Sequence, residues 1–274
     1  MAAWTLILVS LALAVGLFLA LWLLALIRRD PSFVDAFWAF GMVVMALSSF
    51  ALGDGDIERR ALLTGLAAAW GMRLGLHLLF RWLGEGADKR YQRMMKGAED
   101  KRGWGFAKAT LLFVFLPQAV LMWLVSLPVQ APQAVSSGPL GLIALAGTAL
   151  ALFGIAFETI GDAQLARFKR DSANKGKVMD TGLWAWTRHP NYFGDACAWW
   201  GIWLVAAETG WVGIATVIGP IFLTYTLTRW SGAPLLEAGL KRSRPGYAEY
   251  VKRTSPFIPW PPKRREDPAS GVDG

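Results

Sequence analysis

Arg188, His189, Asn191, Tyr192 and Asp195 crowd into one run, Gly182-Leu-Trp-Ala-Trp-Thr-Arg-His-Pro-Asn-Tyr-Phe-Gly-Asp-Ala196. Pro190 stands where a first-turn proline stands, so a helix is expected to begin there. Its free amide groups and positive dipole end would then face the preceding residues, which is the arrangement that binds phosphate. Arg188 and His189 add cationic donors beside it. Asn191 and Asp195, four residues apart, share a helix face and offer a donor and an acceptor to a ring or a sugar. The plainer reading is a helix cap with interfacial side chains. It leaves so many polar types in one place unexplained.

Three further groups carry chemistry. Glu158 and Asp162 share a face at i, i+4, and as bare like charges they would repel unless a cation or a ligand hydroxyl or amide sits between them. Arg167, Lys169 and Arg170 follow them. Arg73, His77 and Arg81 form a stripe at i, i+4, i+8, joined by Trp70, on an otherwise apolar helix. An unpaired charge near a bilayer centre costs from about 3 to more than 10 kcal/mol, so Arg73 must face protein or a wet cavity. One reading pairs it with Asp35; the other makes the stripe a cavity wall with Trp38. Asp35 and His77 are expected at overlapping depth. A carboxylate beside an imidazole would hold it as a proton donor. Last, Glu237, Tyr247 and Tyr250 sit with Arg244, Lys252 and Arg253 in the tail. They read either as a flap over a nucleotide or as a segment on the lipid surface.

The elements that must position these groups are membrane helices. The chain has 274 residues, 54% of them hydrophobic, only 18% charged, with fifteen Trp and a mean hydropathy of +0.37. Apolar blocks of bilayer length, roughly 20 residues, predict spans near Leu6–Ile27, Phe33–Leu52, Ala61–Leu83, Phe106–Val129, Leu140–Ile160, Phe193–Ala207 and Trp211–Arg229. The fold class expected is an all-α polytopic membrane protein of about seven transmembrane helices. The loops Gly84–Gly105 and Gly161–Tyr192, the tail after Trp230 and the pair Arg28-Arg29 hold 22 of the 28 Lys and Arg, whereas the alternate loops hold Arg59 and Arg60. The positive-inside rule then puts the N-terminus out and the C-terminus in. Residues 1–262 are expected to form a single integral membrane domain, with substrate-side helices in 1–130 and cofactor-side helices and loops in 140–260. The tail 263–274 reads as disordered. Gln130–Gly138, uncharged and rich in Pro and Ser, reads as a plain connector.

Several classes are set aside. The formal charge of +8 follows from topology and anionic lipid, so no nucleic-acid partner is expected. The first apolar run is too long for a signal peptide and no positive charge precedes it. The single Cys197 excludes an intrachain disulfide. With only His77 and His189 besides, no metal site is expected.

The run Thr187-Arg-His-Pro-Asn-Tyr-Phe-Gly-Asp195, with Glu158 and Asp162 before it and Glu237 and Tyr250 to Pro259 after it, resembles bacterial membrane proteins of unknown function with a steroid 5α-reductase-like C-terminal domain. It resembles more loosely the steroid 5α-reductases and the sterol reductases. That resemblance implies NADPH as cofactor and reduction of an activated carbon–carbon double bond in a lipophilic, steroid-like or isoprenoid-like substrate, in the bacterial inner membrane. It implies that Asp162, Lys169, Asn191, Asp195 and Tyr250 fall where the family has nucleotide-site residues. In the N-terminal half the steroid enzymes use a Glu and a Tyr, and Asp35 and His77 are the nearest candidates. The Arg-His-Pro-x-Tyr pattern also resembles isoprenylcysteine carboxyl methyltransferases, which bind S-adenosylmethionine and show paired glutamates where this chain has Glu237 alone. A non-catalytic lipid-binding membrane protein is the third reading. For the reductase, Arg167, Lys169, Arg188 and His189 would take the phosphates. Asp162, Asn191 and Asp195 would orient the nicotinamide and ribose, and His77 or Asp35 would polarise the substrate.

Overall fold

The computed structural model describes residues 1–230 and 232–263. The tail expected to be disordered falls, from Arg264 onward, outside the described residues. The described residues are mostly helical, and among them the only extended pairing is a single bridge between Thr187 and Ser255.

Among the described residues, six helices are long and apolar enough to cross a membrane. They are α1 (Ala3–Arg28), α2 (Val34–Leu52) and α3 (Ile57–Glu85), then, after the polar α4 (Lys89–Arg102), α5 (Phe106–Val125) and α6 (Leu142–Arg170). After α7 (Pro190–Ala207), the sixth is a run of helical segments over Trp211–Ser243, α8. A short α9 (Tyr247–Arg253) follows. The predicted stretch Phe193–Ala207 lies within α7, which is not among the six. The reason is visible along its length: no residue of α7 is exposed. Its sequence mixes Gly, Asp and Asn with Trp because it faces protein, whereas α1 shows only a stripe, Leu6, Ser10, Ala14, Phe18, Leu21 and Ala25, to the interior.

The chain divides into two compact units. The first is Met1–Ala151 with Trp199–Phe222, and the second is Leu152–Ala198 with Leu223 onward. The division thus falls inside α6, α7 and α8.

In the first unit α2 packs along α3, while α1 packs against α2 and α5. Glycine sets the α2–α3 approach: a Cβ on Gly71 would lie 2.7 Å from the Ala39 carbonyl oxygen. A π-turn over Leu111–Phe115 precedes Pro117 in α5, where the missing amide would otherwise leave a strained helix.

Two expectations are corrected in this unit. Of the segment taken as a plain connector, Gln130–Gly138, the first four residues are buried, while Ser136, Ser137 and Gly138 are exposed. Ser126, Val129, Gln130, Ala131 and Gln133 are at most 1% exposed, in two 3₁₀ turns, Leu127–Val129 and Ala131–Ala134, that touch α1, α2 and α3. Irregular backbone survives there because protein groups satisfy it. Gln133 Nε2 donates to the Val129 and Ala46 carbonyls at 2.6 and 3.2 Å, and Gln130 Nε2 donates to Ser126 Oγ at 2.6 Å. Charge-free Pro and Ser signalled a loop, but the two glutamines make it a buried one. Likewise Arg59, counted as a loop charge, is 2% exposed. It donates to Glu208 at 2.9 Å and to the Val205 and Pro139 carbonyls.

Candidate functional site

The second unit assembles the motif of residues 182–196 from both ends. Gly182 has φ +60, and a Cβ there would meet the Gln164 side chain at 2.6 Å, so only glycine makes this turn. Gln164 accepts from the Leu183 amide at 3.0 Å, and Trp184 Nε1 donates to the Gly161 carbonyl at 3.0 Å. Thr187 then turns extended. The Arg188 amide donates to the Ser255 carbonyl at 2.9 Å, and Thr187 Oγ1 donates to the Phe257 carbonyl at 2.8 Å.

Arg188 serves two masters. Its Nε donates to Glu237 Oε1 at 2.8 Å, and one Nη donates to the Thr254 and Val251 carbonyls at 2.9 and 3.3 Å. Those carbonyls end α9, where a guanidinium is also favoured by the helix dipole. His189 is 1% exposed. Its Nε2 donates to the same Glu237 oxygen at 2.9 Å, its ring stacks on Tyr192 with centroids 5.2 Å apart, and its Nδ1 is buried with no hydrogen-bond partner. The tail tyrosines do not form a flap. Tyr247 and Tyr250 are each 2% exposed, and the Tyr250 hydroxyl donates to the Trp184 carbonyl at 2.6 Å. Burial, then the Glu237 charge, pushes the Tyr247 phenol up to about 12; burial pushes Tyr250 up as well. Arg253 pairs with Asp180 and so ties α9 to the loop.

Pro190 starts α7 as expected. Past it, glycines bring the α6 and α7 stretches of this unit together. A Cβ on Gly194 would lie 2.6 Å from the Glu158 amide nitrogen, and one on Gly154 would lie 2.5 Å from the Gly194 carbonyl oxygen. Gly161 meets the Pro190 ring at 3.2 Å. The acidic pair Glu158 and Asp162 and the pair Asn191 and Asp195 therefore sit on closely approached stretches. Glu158, Asp162 and Asp195 are 2, 7 and 7% exposed. Asn191 is half-buried, and its Oδ1 accepts from the Tyr192 amide at 3.1 Å. Lys169 is exposed. Arg167 lines a cavity of about 330 Å³ with Gln164, Phe168, Asn174, Thr181 and Gly182.

A model of the family described as "Protein of unknown function (DUF1295)" matches residues 21–254. The chain belongs to this family. No curated protein and no solved structure matches it.

In the first unit of this DUF1295 member, Asp35 is engaged by residues that the sequence reading passed over. Its Oδ1 accepts from the Tyr91 hydroxyl at 2.6 Å and its Oδ2 from Arg90 at 3.1 Å, while Gln118 Nε2 donates to Tyr91 at 3.2 Å. Burial, then the Asp35 charge, pushes the Tyr91 phenol well up, so the hydroxyl keeps its proton. Tyr91 was hidden in a loop read only for its positive charge; its signal was to be one of just five Tyr. Asp35 and Arg81 line a cavity of about 320 Å³ beside Trp82. His77 and Arg73 lie one and two turns further along α3 and are half-buried. Trp70 is fully buried, edge-to-face with Trp38 at 6.2 Å and with Trp199 at 5.3 Å, and its indole nitrogen makes no hydrogen bond. It is a packing residue of an aromatic core.

Proposed function

We propose that this DUF1295 protein is a membrane reductase that uses NADPH to reduce an activated double bond in a lipophilic, steroid-like or isoprenoid-like substrate. The observation that carries the reading is the set of three buried acids, Glu158, Asp162 and Asp195, on glycine-approached helix stretches beside Asn191. Each of the three already has a partner in the protein, and the further acceptor capacity of three carboxylates suits a ligand rich in hydroxyl and amide donors, such as a ribose and a carboxamide. The cavity at Arg167 fits one arm of a dinucleotide, since whole ligand pockets run from about 300 to 1,000 Å³. Arg167 and Lys169 are assigned to phosphate, and Asp162, Asn191 and Asp195 to ribose and nicotinamide. Arg188, His189, Glu237 and Tyr250 form the frame that holds Asn191 in place.

When bound, NADPH supplies hydride. The chain must supply a proton and shield it from water. Asp35 accepts from Tyr91 and Arg90, so the donor role is assigned to His77. A placed acid contributes about 10²–10⁴ in rate. We also read α7 as a seventh span in a bacterial inner membrane, with the N-terminus outside and the nucleotide arm facing the cytosol, from the bias in basic residues. A reporter at the C-terminus active only outside the cytosol would overturn that topology.

The deciding experiment is thermal unfolding of detergent-purified protein with NADPH, NADH and S-adenosylmethionine. A ligand at one hundred times its Kd stabilises the native state by about 2.7 kcal/mol. Stabilisation by NADPH supports the reductase. Stabilisation by S-adenosylmethionine alone would make the chain a lipid methyltransferase, and no response to any of the three would favour a non-catalytic lipid-binding protein.

A further inference from the structure

The first unit holds a cavity that shares Asp35 with the proposed reductase chemistry but whose cations that chemistry leaves without a role. The cavity of about 320 Å³ lies where α3 ends and α4 begins, with Arg81, Glu85, Asp88 and Lys89 at its polar side, Asp35 at its back and Trp82 as an apolar wall. Its acids already have partners. Asp35 is taken by Tyr91 and Arg90. Asp88 caps α4 through the Arg90 amide at 2.7 Å and pairs with the Arg90 guanidinium at 2.8 Å. Glu85 is engaged as well. The cations are exposed and less firmly held: Arg81 acts on Asp88 through its charge, and neither it nor the Lys89 side chain is tied by a hydrogen bond to the other described lining residues.

We propose that this cavity binds a phosphate ester, held by Arg81 and Lys89. Three physical points converge on that chemistry. Arg81 offers a planar fork and Lys89 a point charge, the two donor types that phosphate takes in parallel. The first turn of α4, fourteen residues long, opens at the cavity rim, and a helix N-terminus adds positive potential there. Arg90 sits between Asp35 and Asp88 and offsets the repulsion that these carboxylates would exert on an incoming anion. The phosphate can come from a lipid headgroup, for which Trp82 offers an interfacial wall, or from a soluble phosphate ester. The assignment stands apart from the reductase reading, because none of its cationic donors belongs to the nucleotide arm.

The test compares the parent with two double variants, Arg81→Gln/Lys89→Gln in the cavity and Lys96→Gln/Lys101→Gln on the same helix outside it. Both remove two charges. Retention of phosphatidylglycerol by native mass spectrometry reports the lipid source, and stabilisation by inorganic pyrophosphate reports the soluble one. Each charge-assisted contact is worth enough for the cavity variant to lose binding by at least about tenfold, while the outside variant binds like the parent. Lipid retained without a pyrophosphate response identifies a headgroup site. The converse identifies a soluble ester, and loss of both in the cavity variant makes the site a general phosphate cradle. Equal loss in the two double variants, or no binding of either probe to the parent, overturns the proposal. NADPH stabilisation, measured alongside, fails or succeeds independently.

Discussion

Glu237 Oε1 receives Arg188 Nε at 2.8 Å and His189 Nε2 at 2.9 Å, so one carboxylate oxygen holds two neighbouring residues of the central motif. Arg188 and His189 are 11 and 1% exposed. Glu237→Ala strands both of them, and breaking a buried pair from one side costs about 3–5 kcal/mol. The lower end is expected here, because Glu237 is itself 14% exposed. Denaturant unfolding in detergent measures it. Glu237→Gln, which keeps an acceptor oxygen but not the charge, should cost less than Glu237→Ala; an equal loss would mean that the hydrogen bonds to this oxygen contribute nothing without its charge.

The Arg59–Glu208 ion pair gives a pH signature. Burial pushes the Glu208 carboxyl up, but hydrogen bonds from the Gly141 and Ala144 amides and from Arg59 outweigh it, leaving Glu208 below the ordinary value of 4.5. A carboxyl depressed in the folded state stabilises fully above its unfolded value. That stabilisation fades as pH falls through the folded value. The parent should therefore unfold at higher temperature than Glu208→Gln at pH 7, with the gap closing below about pH 4. A gap that persists unchanged at pH 3 would show that charge plays no part.

Two glycine substitutions should move stability in opposite directions. Gly194→Ala puts a Cβ 2.6 Å from the Glu158 backbone, which cannot yield, and overpacking of that kind costs about 1–3 kcal/mol. Gly65→Ala meets nothing within 4 Å. It should be neutral or stabilise by up to about 1 kcal/mol through helix propensity. Thermal melts of the two side by side decide it. Equal behaviour would contradict the close helix approach.

Binding and turnover should separate by unit. Asn191→Ala and Asp195→Ala are expected to weaken NADPH binding by about 1–3 kcal/mol, the cost of unpaired polar groups. His77→Phe should leave NADPH affinity unchanged and lower kcat at least tenfold, as loss of an interaction made only in the transition state does. Parent-like kcat in His77→Phe would return His77 to packing, and parent-like affinity in both second-unit variants would displace the nucleotide arm.

The helices were legible because lipid-facing residues are apolar without interruption, and α1 to α3 stand close to where their apolar blocks predict them. Pro190 marked the start of α7 for a local reason, its fixed φ and missing amide. What stayed hidden was non-local. Nothing near Glu237 in sequence says that it meets residues 188 and 189. Nothing near Asp35 points to Tyr91, 56 positions later. The buried turns of residues 127–134 read as loop because polarity patterns cannot distinguish water from protein carbonyls as the partner of a glutamine. The glycines 147, 154 and 161 of α6, seven apart, and 194 and 201 of α7, also seven apart, were a readable signal of two helices in contact along one seam.

The bonds from Thr187 and Arg188 to residues 251–257 carry a consequence for the order of events during synthesis. Chains grow and fold from the N-terminus, yet these partners lie 63 to 70 residues downstream of the motif that they brace. The earlier helices can already be in the membrane while Arg188 still awaits the carbonyls of α9. The motif therefore closes only once residues 251–257 have left the ribosome. A nascent chain stalled before Tyr250 would hold its early helices with the motif still unbraced, so the step that closes the motif belongs to residues 251–257.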